Sequence, residues 1–399
     1  MTDIEKRFLQ KLETSLSPFE NFVSKSEIEE KLKLVDTRTS CFNTIASLLQ
    51  SNHPCRVLPI SGVTGVGKTF VCWKIKRSIQ IQPLSIFLEV PMHSKFFYYN
   101  IYTHILEEIG ASKLKDISMA LADKWGAREI KYGLFRVNNT QRILQHAKMT
   151  AHFQECTHKS QLEECMKMII LHAIDAEKSQ TAERWLLGQQ MDAEDLFYLG
   201  IENNLSAKFM TEELLRLISP YLDQGVVLIY DDLDKNWVRY NSRDFFDEEE
   251  DDMDRSERIE QGINQNKQLF NDFYQVLQAN PRLKLIFTMH SENQSEFLSQ
   301  FPINLKEMMT DTIQLPHFQN EDIKDYFQTA IQEYGKKNNI DTDFSQPYFP
   351  LSDKILKGVQ RRSGGNPRDT IRTLQHIFDE LVLDGADIAS LEKKYAENV

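Results

Sequence analysis

The sequence predicts an α/β protein with a five-stranded parallel sheet, a large helical insertion and a C-terminal helical lid. Three observations support this fold class. A glycine-rich stretch lies between an apolar strand and a helix, a second apolar strand ends in consecutive aspartates, and a long helical pattern separates the two. The strands of the sheet are expected in five apolar runs, at 56–60, 84–90, 225–230, 283–288 and 311–315.

The glycine-rich stretch is GVTGVGKT at residues 62–69, and it leads directly into a helical run. A GxxxxGK[ST] pattern between a strand and a helix is the signature of a phosphate-binding loop. Its glycines let backbone N–H groups point inward at the positive end of the following helix. Lys68 would reach the β- and γ-phosphates, and the Thr69 hydroxyl would bind Mg²⁺. The expected nucleotide contacts are Gly62, Val63, Thr64, Gly65, Val66, Gly67, Lys68, Thr69 and Phe70.

Acidic side chains follow the apolar strand at 225–230. A carboxylate at the C-terminal end of a buried parallel strand lies in the crevice where such sheets bind ligands. Asp231 is therefore predicted to bind Mg²⁺ together with Thr69, and Asp232 to orient and deprotonate the attacking water.

Polar residues also end the strand at 283–288, where Thr288 and His290 follow the apolar run. Such a residue would lie between the acids and the γ-phosphate, so Thr288 is the first candidate for a sensor and His290 the second. The lid begins at Pro316, with Asn320 as the expected N-cap of its first helix. Near its end, the run SGGNPRDTIR starts a helix in which Arg368 can point at a phosphate across the domain interface.

The chain divides by pattern into four parts. Residues 1–54 are predicted to be a helical lead-in beside the nucleotide site, 55–109 and 221–315 the nucleotide-binding core, 110–220 the helical insertion, and 316–399 the lid. Within the insertion, Trp185 and Phe197 are predicted to pack in the core. A loop is expected from Asn236 to Glu260, with its acidic run at 247–252 either solvated and disordered or a dock for a basic partner.

Charge and hydropathy argue against general nucleic-acid binding and against membrane insertion. The formal net charge is −12, so the surface as a whole repels nucleic acid and any such contact would need a local basic patch. No apolar run is long enough to span a bilayer, and the N-terminus lacks a signal-peptide pattern. We therefore expect a cytoplasmic protein without a membrane partner.

Taken in order, these motifs resemble the AAA+ and STAND branches of the P-loop (ASCE-type) ATPases, especially origin-recognition-like members of bacteria and archaea. The run DDLD at 231–234 also looks like the KAP group, which has a large insertion between its two nucleotide motifs. In that group the insertion usually contains membrane helices, and here it does not. The resemblance implies ATP and Mg²⁺ as cofactors, Lys68, Asp231 and Asp232 as catalytic residues, Thr288 as first sensor and Arg368 as second.

One departure bears on activity, because AAA+ members commonly have an arginine shortly after the first sensor and this sequence has none from Leu283 to Gln360. Hydrolysis by the isolated chain should then be slow, since such an arginine accelerates hydrolysis by roughly three to five powers of ten. Arg239, Arg243, Arg255 or a partner protein could supply it.

The resemblance implies an ATP-dependent switch that forms a homo-oligomer or recruits a separate effector, as in stand-alone ATPases of phage-defence and mobile-element operons. Two alternatives stay open at this point. One is an ATP-dependent DNA-binding loader or a regulator of transposition or replication. The other is a protein that binds ATP without turnover.

Overall fold

The computed structural model describes residues 2–12, 18–19, 37–50, 55–78, 83–88, 96–127, 131–132, 135–136, 139–205, 208–222, 224–235 and 255–397. The acidic run at 247–252, Arg239 and Arg243 lie outside these residues, as does the side chain of Arg255.

The centre of the fold is a five-stranded sheet in which every described pairing is parallel. Its strands are β1 (Val57–Gly62), β2 (Leu84–Leu88), β5 (Val226–Tyr230), β6 (Leu283–His290) and β7 (Ile313–Gln314), in the order β2-β5-β6-β1-β7. All residues of β1 and β5 are buried, as continuous apolar runs in a parallel sheet require. The predicted fold class and its five strands are confirmed, and β6 separates the strand before the glycine loop from the strand before the acids.

Helices cover the sheet and build the other parts of the molecule. They are α1 (Asp3–Leu12), α2 (Thr39–Gln50), α3 (Lys68–Arg77), α4 (Phe97–Lys124), α5 (Thr140–Lys148), α6 (Ala151–Glu155), α7 (Lys159–Ile174), α8 (Ser179–Leu186), α9 (Ala193–Leu199), α10 (Lys208–Ile218), α11 (Arg255–Ala279), α12 (Gln294–Ser299), α13 (Ile303–Lys306), α14 (Asn320–Asn338), α15 (Asp353–Ser363), α16 (Pro367–Val382) and α17 (Ile388–Glu392). Because α11 already begins at Arg255, the predicted loop to Glu260 is too long by six residues.

The predicted insertion is mostly helical, as its pattern indicates, but it also contains a short antiparallel hairpin. Strands β3 (Lys131–Tyr132) and β4 (Phe135–Arg136) pair there, and two-residue strands are too short to leave an alternating signal in the sequence. The insertion begins at a kink within α4. Helix α4 runs on from the core through Gly110, which has φ 74° and ψ 165° and kinks the helix.

Trp185 and Phe197 differ in their surroundings, although both were predicted to lie in the core. Trp185 is fully buried and its indole N–H donates to the Asn203 carbonyl at 2.9 Å. Phe197 is 88% exposed, so that prediction was wrong. In the seven-residue helix α9, the apolar side is formed instead by Leu199, with Leu196 partly buried beside it.

The N-terminal helices pack against two different parts of the molecule. Helix α2 buries Phe42, Ile45 and Leu49 against the strands and helix that flank the glycine loop. Helix α1 packs on the lid instead, where the Phe8 ring lies 5.0 Å from Phe344. The prediction that this whole lead-in lies beside the nucleotide site therefore fits α2 and not α1.

The first lid helix, α14, begins one residue earlier than its sequence indicates. Gln319 occupies the N-cap position, with its backbone N–H donating to Asp322 Oδ2 at 2.8 Å. Asn320, the expected N-cap, is instead the first helical residue. Across the described part of the chain, no helix combines the length and apolarity that a bilayer crossing requires.

A buried polar cluster joins three helices of the insertion. His172 on α7 is fully buried, with Nδ1 2.9 Å from Ser118 Oγ on α4 and Nε2 3.2 Å from Glu183 Oε2 on α8. Lys115 Nζ hydrogen-bonds the His172 carbonyl and donates to Ser179 Oγ at 2.8 Å. Burial and the nearby Lys115 charge lower the pKa of His172, although Glu183 opposes them.

Replacing Trp185 by alanine should destabilise the insertion by about 3–5 kcal/mol, because it opens a cavity and leaves the Asn203 carbonyl without its donor. Phe197→Ala is the matched control, and its effect should stay within about 0.5 kcal/mol because the ring is exposed. Urea unfolding followed by circular dichroism measures both. Equal effects of the two substitutions would contradict the difference in burial between Trp185 and Phe197.

His172 should make stability depend on pH. Its folded-state pKa lies below the usual value of 6.5, so the unfolded chain takes up a proton first. Neutral His172 therefore contributes fully to the free energy of unfolding above about pH 6.5. This contribution is lost as the pH falls from there towards the folded-state pKa. In thermal unfolding between about pH 7.5 and about pH 5.5, His172→Gln should flatten this loss. Parallel wild-type and variant profiles would rule the effect out.

Candidate nucleotide-binding site

The glycine loop is shaped by backbone conformations that favour glycine. Gly65 and Gly67 have φ angles of 81° and 95°, in the left-handed region that side chains disfavour. At Gly62, where β1 ends, a Cβ atom would lie 2.5 Å from Val66 Cγ1. The loop therefore closes on the buried Val66 side chain and turns its backbone into a tight concave path.

Helix α3 starts at Lys68 without a capping side chain on its N-cap residue, Gly67. The first N–H groups of a helix have no partner within it, and together with the helix dipole they form a site for an anion. Lys68 is 9% exposed and its Nζ donates to the Gly62 carbonyl at 3.1 Å, so the ammonium lies inside the loop. These features make the loop suitable for a polyphosphate.

Asp231 connects the loop to the sheet. One of its carboxylate oxygens accepts a hydrogen bond from the Thr69 hydroxyl, at the start of α3. The other accepts from Thr288 Oγ1 on β6 at 2.5 Å. Thr69 and Asp231, the predicted Mg²⁺ ligands, are thus neighbours, and Thr288 lies against the acid as its strand position predicts.

Asp232 follows in an unusual backbone conformation, with φ 49°. Its backbone N–H donates to Thr288 Oγ1 at 2.7 Å, so Thr288 contacts both acids. Its carboxylate lies between two lysines, with Lys68 Nζ 3.5 Å from Oδ1 and Lys235 Nζ 2.8 Å from Oδ2. Two adjacent acids therefore have different partners, hydroxyls for Asp231 and ammonium groups for Asp232.

These environments move the two carboxyl pKa values apart. Burial and the neighbouring Asp232 charge raise the pKa of Asp231 above its usual value, and the two hydroxyls only partly oppose this. Burial also acts to raise the pKa of Asp232, but Lys235 and Lys68 outweigh it and the pKa lies below its usual value. Asp232 is thus the more firmly ionised acid, and a cation beside Asp231 would hold that carboxyl ionised as well.

The lid contacts the tip of the loop through the start of α16. The Asn366 side-chain amide donates to the Thr64 carbonyl at 2.9 Å, and the Arg368 backbone N–H donates to the Gly65 carbonyl at 3.2 Å. A Cβ atom on Gly65 would lie 2.7 Å from Asn366 Oδ1, so the approach needs glycine there. The Arg368 side chain is exposed at this junction.

Arg38 is a site residue that the sequence did not reveal. It is 9% exposed and its Nη1 donates to the Val66 carbonyl at 2.7 Å and to the Pro316 carbonyl at 3.5 Å. Its backbone N–H donates to Asp322 Oδ1 at 2.9 Å. Because Pro316 and Asp322 belong to the lid entry, Arg38 joins the segment before α2, the loop and the lid.

His290 and Asp234 complete the inner side of the site. Asp234 is buried and accepts the His290 backbone N–H at 3.0 Å and the Asn293 side-chain amide at 2.9 Å. The His290 ring in turn accepts the Thr64 backbone N–H through Nε2 at 3.2 Å. The ring of His290, the alternative to Thr288 as first sensor, therefore contacts the loop tip rather than Asp231 or Asp232.

The residues present fit a nucleotide with Mg²⁺. The uncapped start of α3, the buried Lys68 ammonium and the turn at Gly65 and Gly67 suit phosphates. Thr69 and Asp231 supply two oxygen ligands, and Mg²⁺ usually takes one or two protein ligands and completes its shell with phosphates and water. The described residues contain no cluster of three or more His, Cys, Asp or Glu side chains that could hold a metal ion.

The structure thus brings all the predicted site residues to one edge of the sheet, although their roles stay predictions. Those missed are Arg38, Asp234, Lys235 and Asn366. The sequence could have revealed Asn366, because Asn followed by Pro, as in SGGNPR, is typical of an N-cap residue followed by the first residue of a helix. Arg38 carried no such signal, because its lid partners lie more than 270 residues away in sequence.

A comparison with known families covers the part of this site that precedes residue 237. Residues 38–236 match the KAP family P-loop domain, a range that includes the glycine loop, the insertion and the acids. No curated protein is significantly similar to the chain.

Arg38→Met should loosen the contact between loop and lid while keeping most of the side-chain volume. Losing hydrogen bonds from a charged group should lower the free energy of unfolding by about 1.5–3 kcal/mol. Chemical denaturation measures this loss. Arg282→Met is the matched control, since Arg282 also donates to a carbonyl, that of Leu222, but away from the site. The assignment would be wrong if both variants lost the same stability.

Proposed function

Because the chain carries a P-loop NTPase domain of the KAP family, we propose that it is an ATP-dependent molecular switch that hydrolyses ATP slowly. The observation that carries the proposal is the junction of loop and lid. Asn366 and Arg368 donate to the carbonyls of Thr64 and Gly65, on the outer side of the loop whose inner side would hold the phosphates. A nucleotide that moves the loop on binding would therefore also move α16.

Binding would use groups that already converge on the loop. The first N–H groups of α3 and the Lys68 ammonium bind phosphate oxygens, and Lys68 leaves the Gly62 carbonyl and Asp232 to do so. Thr69 and Asp231 would hold Mg²⁺, which would supply positive charge to neutralise the phosphates. Arg368 has an exposed side chain at the lid junction and lies within the lid helix that would move with nucleotide state.

Slow turnover follows from what surrounds Asp232. Its carboxylate is paired with lysines and its pKa is low, so it orients a water molecule better than it removes a proton. The sequence also has no arginine from Leu283 to Gln360 to stabilise transition-state charge. We therefore assign the hydrolysis step to resetting the switch rather than to rapid turnover.

We further propose ATP as the nucleotide and a protein as the output. The sequence lacks an NKxD run for reading guanine, which favours ATP over GTP. Its net charge of −12 disfavours a nucleic-acid output. The lid and insertion would carry the nucleotide state to a second copy of the chain or to a separate effector.

Lys68→Ala should weaken ATP binding by at least about a hundredfold, because it removes a buried phosphate-binding charge. Isothermal titration calorimetry with Mg²⁺–ATP measures the affinity. Lys76→Ala is the matched control, since Lys76 is also on α3 but pairs with Glu108 at 2.7 Å, away from the loop. Unchanged ATP affinity in Lys68→Ala would overturn the nucleotide site itself.

Light scattering with and without ATP then tests the output. Wild-type chain and Lys76→Ala should change mass with ATP, alone or with co-purifying protein, while Lys68→Ala should not. A mass independent of ATP in wild type and Lys76→Ala, although both bind ATP normally, would refute the switch and leave the site intact.

A further inference from the structure

Asp232 is held by two lysines of different character. Lys68 is 9% exposed and belongs to the phosphate loop, whereas Lys235 is 69% exposed and follows Asp232 by three residues. Their ammonium groups lie on opposite carboxylate oxygens, 3.5 Å from Oδ1 for Lys68 and 2.8 Å from Oδ2 for Lys235. The closer and more exposed partner has no role in the nucleotide motifs of the sequence.

The two contacts would not survive nucleotide binding equally. Lys68 also donates to the Gly62 carbonyl, and both of its contacts are given up when its ammonium turns to the phosphates. Lys235 contacts Asp232 from the opposite oxygen and need not move. Of the side-chain contacts that the structure gives Asp232, the one to Lys235 is then the one that persists.

The backbone around Asp232 supports the same arrangement. Its left-handed conformation is fixed by two hydrogen bonds, from its own N–H to Thr288 Oγ1 at 2.7 Å and from the Lys235 N–H to its carbonyl at 2.9 Å. This turn brings the Lys235 side chain back to the residue that its backbone contacts. The backbone N–H and the backbone carbonyl of Asp232 are thus both held by hydrogen bonds, while the direction of its carboxylate depends on the two ammonium groups.

We propose that Lys235 is a positioning residue for hydrolysis, which keeps the Asp232 carboxylate oriented towards the attacking water once Lys68 has turned to the phosphates. This inference rests on the proposed function. In the step itself, the water oxygen bonds to the γ-phosphorus, and the bond from that phosphorus to the β–γ bridging oxygen breaks. ADP leaves with the electron pair, and the water proton passes by way of Asp232 to the phosphate released.

Lys235→Ala should lower kcat for ATP by about tenfold or more and leave KM within about twofold, because the side chain acts on Asp232 and not on the bound nucleotide. Lys235→Arg should restore most of the rate, and Lys235→Gln should behave like alanine. Lys336→Ala is the matched control, since Lys336 is an equally exposed lysine that pairs with Glu333 three residues away, far along the lid helix α14.

Binding of nucleotide complexes gives a readout without turnover. Wild type should bind ADP with aluminium fluoride, which mimics the transferring phosphoryl group with its attacking water, more tightly than ADP alone. Lys235→Ala should lose most of that difference and keep its ADP affinity. Failure of wild type to bind ADP would overturn the proposed function. If ADP binds normally, a full aluminium fluoride effect or an unchanged or faster kcat in Lys235→Ala would overturn the role of Lys235 alone.

Discussion

The site depends on the hydrogen bonds of one carboxylate, that of Asp231. Its two oxygens accept from hydroxyls on two other elements, Thr69 at the start of α3 and Thr288 on β6. The sheet order makes this possible, because β6 lies between β1 and β5 and puts Thr288 beside both the loop and the acids. Three separate stretches of sequence thereby share one hydrogen-bonded centre, and the position of each constrains the other two.

The lid is joined to this centre through backbone carbonyls of the loop. Asn366, Arg368 and Arg38 donate to the carbonyls of Thr64, Gly65 and Val66, three consecutive residues. A backbone carbonyl can accept a hydrogen bond regardless of the side chain of its own residue. These contacts therefore constrain the shape of the loop more than its amino-acid composition. The glycine at position 65 is the exception, because a side chain there would collide with Asn366. Three consecutive carbonyls of the loop thus have three different donors outside the loop.

Much of the fold and site could be predicted because the relevant signals are local. The loop, the acids after β5 and the Asn-Pro start of α16 each lie within about ten residues, and the buried strands are continuous apolar runs. What could not be predicted depends on distant partners or on very short elements. Arg38 meets residues of the lid entry, the hairpin at β3 and β4 has two-residue strands, and Phe197 differs from Trp185 only in which side of a short helix it occupies. Lys235 was missed for another reason, since a lysine after acids is ordinary until its contact with Asp232 is seen.

The kink at Gly110 gives α4 the properties of a lever. Before the glycine, the helix packs beside β2, and after it the helix continues to Lys124 inside the insertion. The second arm spans about 20 Å at 1.5 Å per residue, so a tilt of about five degrees at the kink would displace its far end by about 2 Å. Beyond the adjoining helix backbone, a Cβ atom at Gly110 would meet no atom within 4 Å in the part of the chain that the structure describes, so the space beside the kink is open. A small tilt of α4 where it packs beside the edge strand β2 would therefore become a larger displacement of the insertion.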